Sequence, residues 1–114
     1  MNLKYKERED TNMIRVLFEP KKMSVKDIYK KQRREGLFNI GYHFIILPTG
    51  EIAEGIPFYA YADYRLSHVR DSVYCLLVGV DNKDHITAGQ GKALQQVHVL
   101  HKLPVFFGDD DDNV

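Results

Sequence analysis

Apolar residues gather in a few short runs along this chain, and the polar residues between the runs carry helix and turn signals. MIRVLF at 13–18 is rich in branched side chains and is closed by Pro20, which predicts a first strand. Ser24 and Asp27 have the spacing at which a hydroxyl and a carboxylate satisfy free backbone amides in a helix's first turn. With Gly36 standing where a left-handed stop residue belongs, a helix over about 25–35 follows, with Val25, Ile28 and Tyr29 on one face. YHFIILPTGEIAEGI predicts a hairpin turning at Pro48-Thr49-Gly50, and SVYCLLVGV at 72–80 predicts a central strand buried on both faces. Between them PFYAYADYRLSHVRD has no clean period and predicts a long surface loop. DNKDH is a polar turn, and Thr87 caps a last helix through about His101, with Leu94, Val97 and either His98 or His101 facing inward. Pro104 stops that helix, and VFFG predicts a final strand. This order predicts an α/β (α+β) fold, a mixed central sheet flanked by helices. The expected organisation is an arm at 1–12, a domain at 13–107 and an acidic tail at 108–114.

Composition narrows the class. At 114 residues with 44% apolar and 11% aromatic side chains, the chain reads as an ordinary globular domain without internal repeats. Cys75 is the sole cysteine, so a disulfide framework and a four-thiolate zinc site within one chain are excluded, and a reducing compartment is the default. MNLKYKERED alternates charges without an apolar core, so no signal peptide is expected, and no run approaches the roughly 20 apolar residues that span a bilayer. A cytoplasmic location is therefore expected. The formal charge is zero but uneven, with Lys21 to Arg34 strongly basic and Asp109 to Asp112 acidic. Lys30, Arg33 and Arg34 are candidate contacts for a protein partner, against the plainer reading of a solvated helix face. Zero net charge argues against strong nonspecific nucleic-acid binding, which needs many cation–phosphate contacts.

Candidate chemistry concentrates in two places. Tyr42 and His43 sit at the entrance of the hairpin, and since alternate strand residues face opposite sides, only one of them can point into a cleft. The loop brings Phe58, Tyr59, Tyr61 and Tyr64 near His68 and Arg70, offering ring faces to a base or sugar and donors to a phosphate or carboxylate. A small anionic or aromatic ligand fits that set, and so does a row of tyrosines merely covering a sheet edge. Tyr42, His43, Tyr59, Tyr61, Tyr64, His68 and Arg70 are thus the candidate ligand-binding residues. His98 and His101 are three apart on a helix and could share a metal, but lack an evident third ligand. Cys75 in a buried strand reads as a small apolar filler.

The succession SVKDIYKKQRREGLFNIGYHFIILPTGEIAEGI, LSHVRDS, VYCLLVGVDNKD and TAGQGKALQQV is similar to the zinc-dependent N-acetylmuramoyl-L-alanine amidases. That family includes amidase-type phage lysozymes and animal peptidoglycan-recognition proteins, and the resemblance spans about 13–107. It implies their fold, and hydrolysis of the amide joining muramic acid to the first stem alanine by a zinc with three protein ligands and an open position. Tyr42 matches the tyrosine that helps stabilise the tetrahedral intermediate, and His43 a neighbour that is not a ligand. The first zinc histidine falls at Leu17 or, shifted by one, Phe18; the second ligand falls at Gly108 or Asp109, and the sequence ends at Val114 before the third. Glu19 and Asp109 to Asp112 offer oxygens that suit calcium or magnesium better than a hydrolytic zinc. The expectation is a degenerate member without metal or other cofactor, acting as a binding or regulatory factor. It would inhibit a host or viral protein, as amidase-type phage lysozymes inhibit a viral RNA polymerase, or sequester a nucleotide- or sugar-like ligand. The alternatives are a zinc-dependent amidase using Tyr42 with His68, His98 or His101 as ligands, and an inert remnant scaffold.

Overall fold

The computed structural model describes residues 7–8, 10–37 and 39–109. Asp110 to Asp112, considered above as oxygen ligands, and most of the N-terminal arm lie outside the described residues. The elements follow in the expected order: β1 (Met13–Glu19), α1 (Val25–Arg34), β2 (Phe44–Ile46), β3 (Ile52–Glu54), β4 (Ser72–Val78), α2 (Ala88–His101) and β5 (Val105–Phe107). The polar turn before α2 tightens into a short 3-10 helix, Lys83–His85, whose first turn is capped by the Asn82 side chain.

The strands form one mixed sheet in the order β3-β2-β4-β1-β5. Among the strand pairs of the described residues, β2–β3 is antiparallel, because a tight turn joins it; β4 pairs in parallel with β1 and β2, and β1 with β5. Every residue of β4 is buried, which its unbroken apolar run requires of a strand covered on both faces. On one face Ile14, Val16, Val73, Cys75, Leu77 and Ile46 pack against Ala93, Leu94 and Val97 of α2. On the other, Ile45, Leu76 and Val78 meet Ile28 of α1, and Tyr74 meets Ile56, Ala60 and Ala62 of the long loop.

Both helices begin as their sequences require. Ser24 and Asp27 form a reciprocal capping box on α1, and Thr87 and Gln90 form another on α2. Gly36 has φ +97° and ends α1 with its amide on the Arg33 carbonyl. The buried stripe of α1 differs from the expected one. Ile28 and Gln32 are buried whereas Tyr29 is 40% exposed, because Gln32 Oε1 accepts the Gly41 amide at 2.8 Å and so turns the 28/32 row inward. On α2 both histidines are half-buried: His98 Nδ1 bonds the Leu103 carbonyl at 2.6 Å, and His101 stacks on Phe58 with centroids 4.4 Å apart.

Candidate functional site

The sheet face toward α1 carries a polar cavity of about 140 Å³, lined by Glu19, Lys31, Gln32, Glu35, Tyr42 and Leu76 among others. Its walls are set by local backbone chemistry. Gly41 is clamped between α1 and the loop, its amide on Gln32 and its carbonyl accepting the Asp63 amide at 2.9 Å. A Cβ at Gly41 would stand 2.6 Å from Asp63 Cβ, so only glycine lets the loop approach this closely. The charges at the rim are tied in pairs. Lys31 bonds Glu19 at 3.0 Å, and Arg65 grips Asp63 through Nε at 2.9 Å while its Nη2 reaches Glu35 at 3.0 Å. Burial alone would raise the Glu19 carboxyl, but the Lys21 amide and the Lys31 ammonium outweigh it and hold it low. Burial, then the nearby Asp63 charge, pushes the Tyr42 hydroxyl up to about 12, so near neutrality it keeps its proton and can donate to a ligand.

His43 takes the opposite course from Tyr42. It is 1% exposed, its backbone N–H donates to the Tyr74 carbonyl at 3.0 Å, and its Nδ1 accepts the Tyr74 N–H at 3.0 Å. Nδ1 must therefore be unprotonated, which puts the ring proton on Nε2, where it donates to the Ala60 carbonyl at 2.7 Å. Burial drives this imidazole down to about 4, against the pull of the Ala60 bond and with help from the Arg8 cation. Arg8 covers the ring: it is 9% exposed, donates to Ala60 O at 2.6 Å and lies over the Phe58 ring. His43, expected among the ligand-binding residues, is instead a joint between the start of β2, β4 and the loop, with both ring nitrogens engaged.

At the corner where the resemblance puts the first zinc ligand, Leu17 rather than Phe18 lies on the Tyr42 face, packed with both apolar clusters there. Phe18 turns to the α2 side and stacks on Phe107. Leu17 pairs with Leu76, and Leu76 with Ile45, so hydrocarbon runs across the sheet beneath that corner. Asp109, at the second-ligand position, has both carboxylate oxygens engaged: Oδ1 accepts the Tyr74 hydroxyl at 2.5 Å and Oδ2 the Ser67 amide at 2.7 Å. Among the described residues no group of three or more His, Cys, Asp or Glu side chains could hold a metal ion. Among the described residues, the side chains at these positions do not fit the zinc that the fold family implies.

The remaining candidates do not converge. Phe58 packs toward α2, on the opposite side of the sheet from Tyr42, and so do His98 and His101. His68 stays on the Tyr74 side, its amide donating to the Tyr74 hydroxyl at 2.9 Å, so the three histidines proposed above as unorthodox ligands are not brought together. Tyr59 and Tyr64 are 50% and 75% exposed, Tyr61 is half-buried and Arg70 is exposed. Lys30, Arg33 and Arg34 are exposed on α1. Cys75 is buried on the α2 face, where burial alone pushes its thiol up to about 12. No helix among the described residues is long and apolar enough to cross a membrane.

The sheet order, the two helices on opposite faces and the Tyr42 cavity define a protein of the N-acetylmuramoyl-L-alanine amidase and peptidoglycan-recognition-protein fold. In sequence the chain is similar to the endolysin of Escherichia phage T7, at 29% identity over 99 residues that cover 82% of this chain and 66% of that protein. The chain thus spans just under two thirds of that relative's length. Among solved structures it resembles the endolysin and N-acetylmuramoyl-L-alanine amidase LysCS of Clostridium intestinale, with TM-score 0.69, 18% identity, and 94% and 77% of the two chains covered. It also resembles PGRP-SA of Apis mellifera, with TM-score 0.75, 13% identity, and 100% and 81% covered. No family model matches the chain. Sequence and fold together relate it to the amidase-type proteins.

Proposed function

We propose that this chain binds a peptidoglycan fragment in the Tyr42 cavity without cleaving it, an amidase fold used for recognition. The observation that carries the reading is Leu17, a hydrocarbon packed into two apolar clusters at the corner where the resemblance requires a histidine. An amide carbonyl needs strong polarisation before water can attack it, and a side chain without a lone pair cannot hold the ion that supplies it. Binding needs less: a donor such as the Tyr42 hydroxyl, fixed acceptors at Glu19 and Glu35, and a shaped wall. The fold serves binding elsewhere. The ectodomain complex of peptidoglycan recognition proteins LCa and LCx, matched at TM-score 0.69, holds bound tracheal cytotoxin. Retention as a regulator of another protein, through Lys30, Arg33 and Arg34, belongs to the same non-catalytic reading.

The similarity to an endolysin favours a second reading, zinc-dependent hydrolysis of the muramoyl-alanine amide. Titration with an N-acetylmuramyl tripeptide, followed by mass spectrometry of the mixture, separates the two. Saturable binding with intact ligand is expected, weakened roughly fivefold in Tyr42→Phe by loss of a hydrogen bond worth about 1 kcal/mol. Released stem peptide would establish the second reading, and absence of binding would remove the first.

A further inference from the structure

Gln32 is 3% exposed and lines the Tyr42 cavity from α1, a helix otherwise rich in lysine and arginine. Its Oε1 accepts the Gly41 amide at 2.8 Å, a bond that the nitrogen end of the side chain cannot make, so Nε2 is fixed as a donor. Among the described residues that donor has no hydrogen-bond partner, and it is not among the polar atoms sealed from solvent. A side chain buried this deeply meets solvent through the cavity it lines. The Tyr42 hydroxyl, one residue beyond Gly41, likewise has no partner among the described residues and faces the same cavity. Two neutral donors without acceptors in one nearly buried place call for a ligand that accepts.

The surroundings restrict what that ligand group can be. Lys31 and Arg65 are already paired with Glu19, Glu35 and Asp63, and the carboxylates outnumber the cations, so an anionic group is disfavoured. Ile28 and Leu76, 3% and 5% exposed, give the cavity an apolar floor. Its volume of about 140 Å³ lies below the roughly 300 Å³ of a pocket that encloses a whole small ligand, so it admits one functional group of a larger fragment. Resting on the reading of the Tyr42 cavity as the binding site, we propose that Gln32 is its specificity-determining residue and reads a neutral secondary amide bearing a methyl group. The amide oxygen has two lone pairs and accepts from both Gln32 Nε2 and the Tyr42 hydroxyl. The methyl rests on Ile28 and Leu76, and the amide N–H donates to Glu19 or Glu35. A peptidoglycan fragment offers such a group in the N-acetyl substituent of its sugars and at the alanine of its stem. A free ammonium at the same place sets donors against donors and brings no methyl.

Heteronuclear NMR of the full chain, titrated with N-acetylmuramyl tripeptide and then with its parts, tests the assignment. The parts are methyl N-acetylglucosaminide, the unacetylated methyl glucosaminide and the stem tripeptide alone. The Gln32 side-chain NH2 resonances are expected to shift with the muramyl tripeptide and with one of the two amide-bearing parts, which identifies the source of the amide, and to stay in place with the amine. Gln32→Glu keeps an oxygen for the Gly41 amide but replaces the donor by an acceptor. It is expected to weaken binding of the muramyl tripeptide about tenfold, as a lost hydrogen bond with its partner left unpaired does, and to tighten binding of the amine. A mere loosening of α1 would not produce that reversal. If this variant does not fold, the resonances of the original chain decide. Muramyl tripeptide that binds with the Gln32 NH2 unmoved, a shift from the amine as large as that from either amide, or equal affinity in Gln32→Glu overturns the assignment and leaves the cavity as a binding site. Failure of the muramyl tripeptide to bind overturns both.

Discussion

His43→Ala is expected to lower the stability of the protein by roughly 3 kcal/mol at neutral pH, from the packing lost around a buried ring and the Tyr74 amide left without an acceptor. In a domain of this length that corresponds to a fall of about 10–15 °C in the unfolding midpoint, read by circular dichroism. The pH dependence distinguishes this from a simple cavity. The folded imidazole titrates at about 4, below its ordinary value of 6.5, because burial disfavours the cation. The unfolded chain therefore binds the proton more readily. The stability that the neutral ring contributes is complete above pH 6.5 and is lost as the pH falls toward 4, an effect of roughly 3 kcal/mol. Thermal scans across that window should show the original chain losing stability steeply and His43→Ala losing much less. Parallel curves would mean that another group governs acid unfolding.

Gln90→Glu should have the opposite pH dependence. Gln90 is 0% exposed, and its Nε2 donates to the Ile46 carbonyl at 3.1 Å and the Val78 carbonyl at 2.9 Å, joining the ends of β2 and β4 under the start of α2. A carboxylate in its place presents a buried charge to two carbonyl oxygens. The expected cost at neutral pH is roughly 3–5 kcal/mol, that of a buried charge without a partner. The folded variant holds its proton more tightly than the unfolded chain, so the penalty is absent below the ordinary glutamate range and grows as the pH rises. Its unfolding midpoint should therefore recover on acidification relative to the original chain. Stability within 1 kcal/mol of the original at neutral pH, on the scale of an ordinary surface change, would show that the two carbonyl bonds matter little.

Both residues show where the sequence was legible and where it was not. Elements governed by near neighbours were readable: the Ser24/Asp27 and Thr87/Gln90 spacings, the stop at Gly36 and the unbroken apolar run of β4 all act within one turn or one strand. The T-x-x-Q spacing marked Gln90 as a cap, but nothing local showed that its amide also bridges two strands. Arg8 lies in an alternating charged arm that reads as solvated, yet residues distant in sequence bury it: the His43 ring, the Ala60 carbonyl and the Phe58 ring all lie against it. Asp109 likewise reads as the start of a solvated acidic run, yet Tyr74 and Ser67 engage both its oxygens. In the candidate site, the divergence of Tyr42 from His43 followed from strand alternation. The walls did not, since Gln32 was hidden in a basic helix and the Asp63–Arg65 grip in a loop without periodicity.

Leu17 remains the pivot of the functional account, because a recognition protein tolerates hydrocarbon at that corner and a zinc hydrolase does not. Zinc counted by mass spectrometry, after the full chain has been equilibrated with excess zinc and desalted, tests this most directly. Zinc far below equimolar with the chain is expected, and the same low content in Leu17→Ala. Zinc equimolar with the chain, retained through desalting, would contradict it.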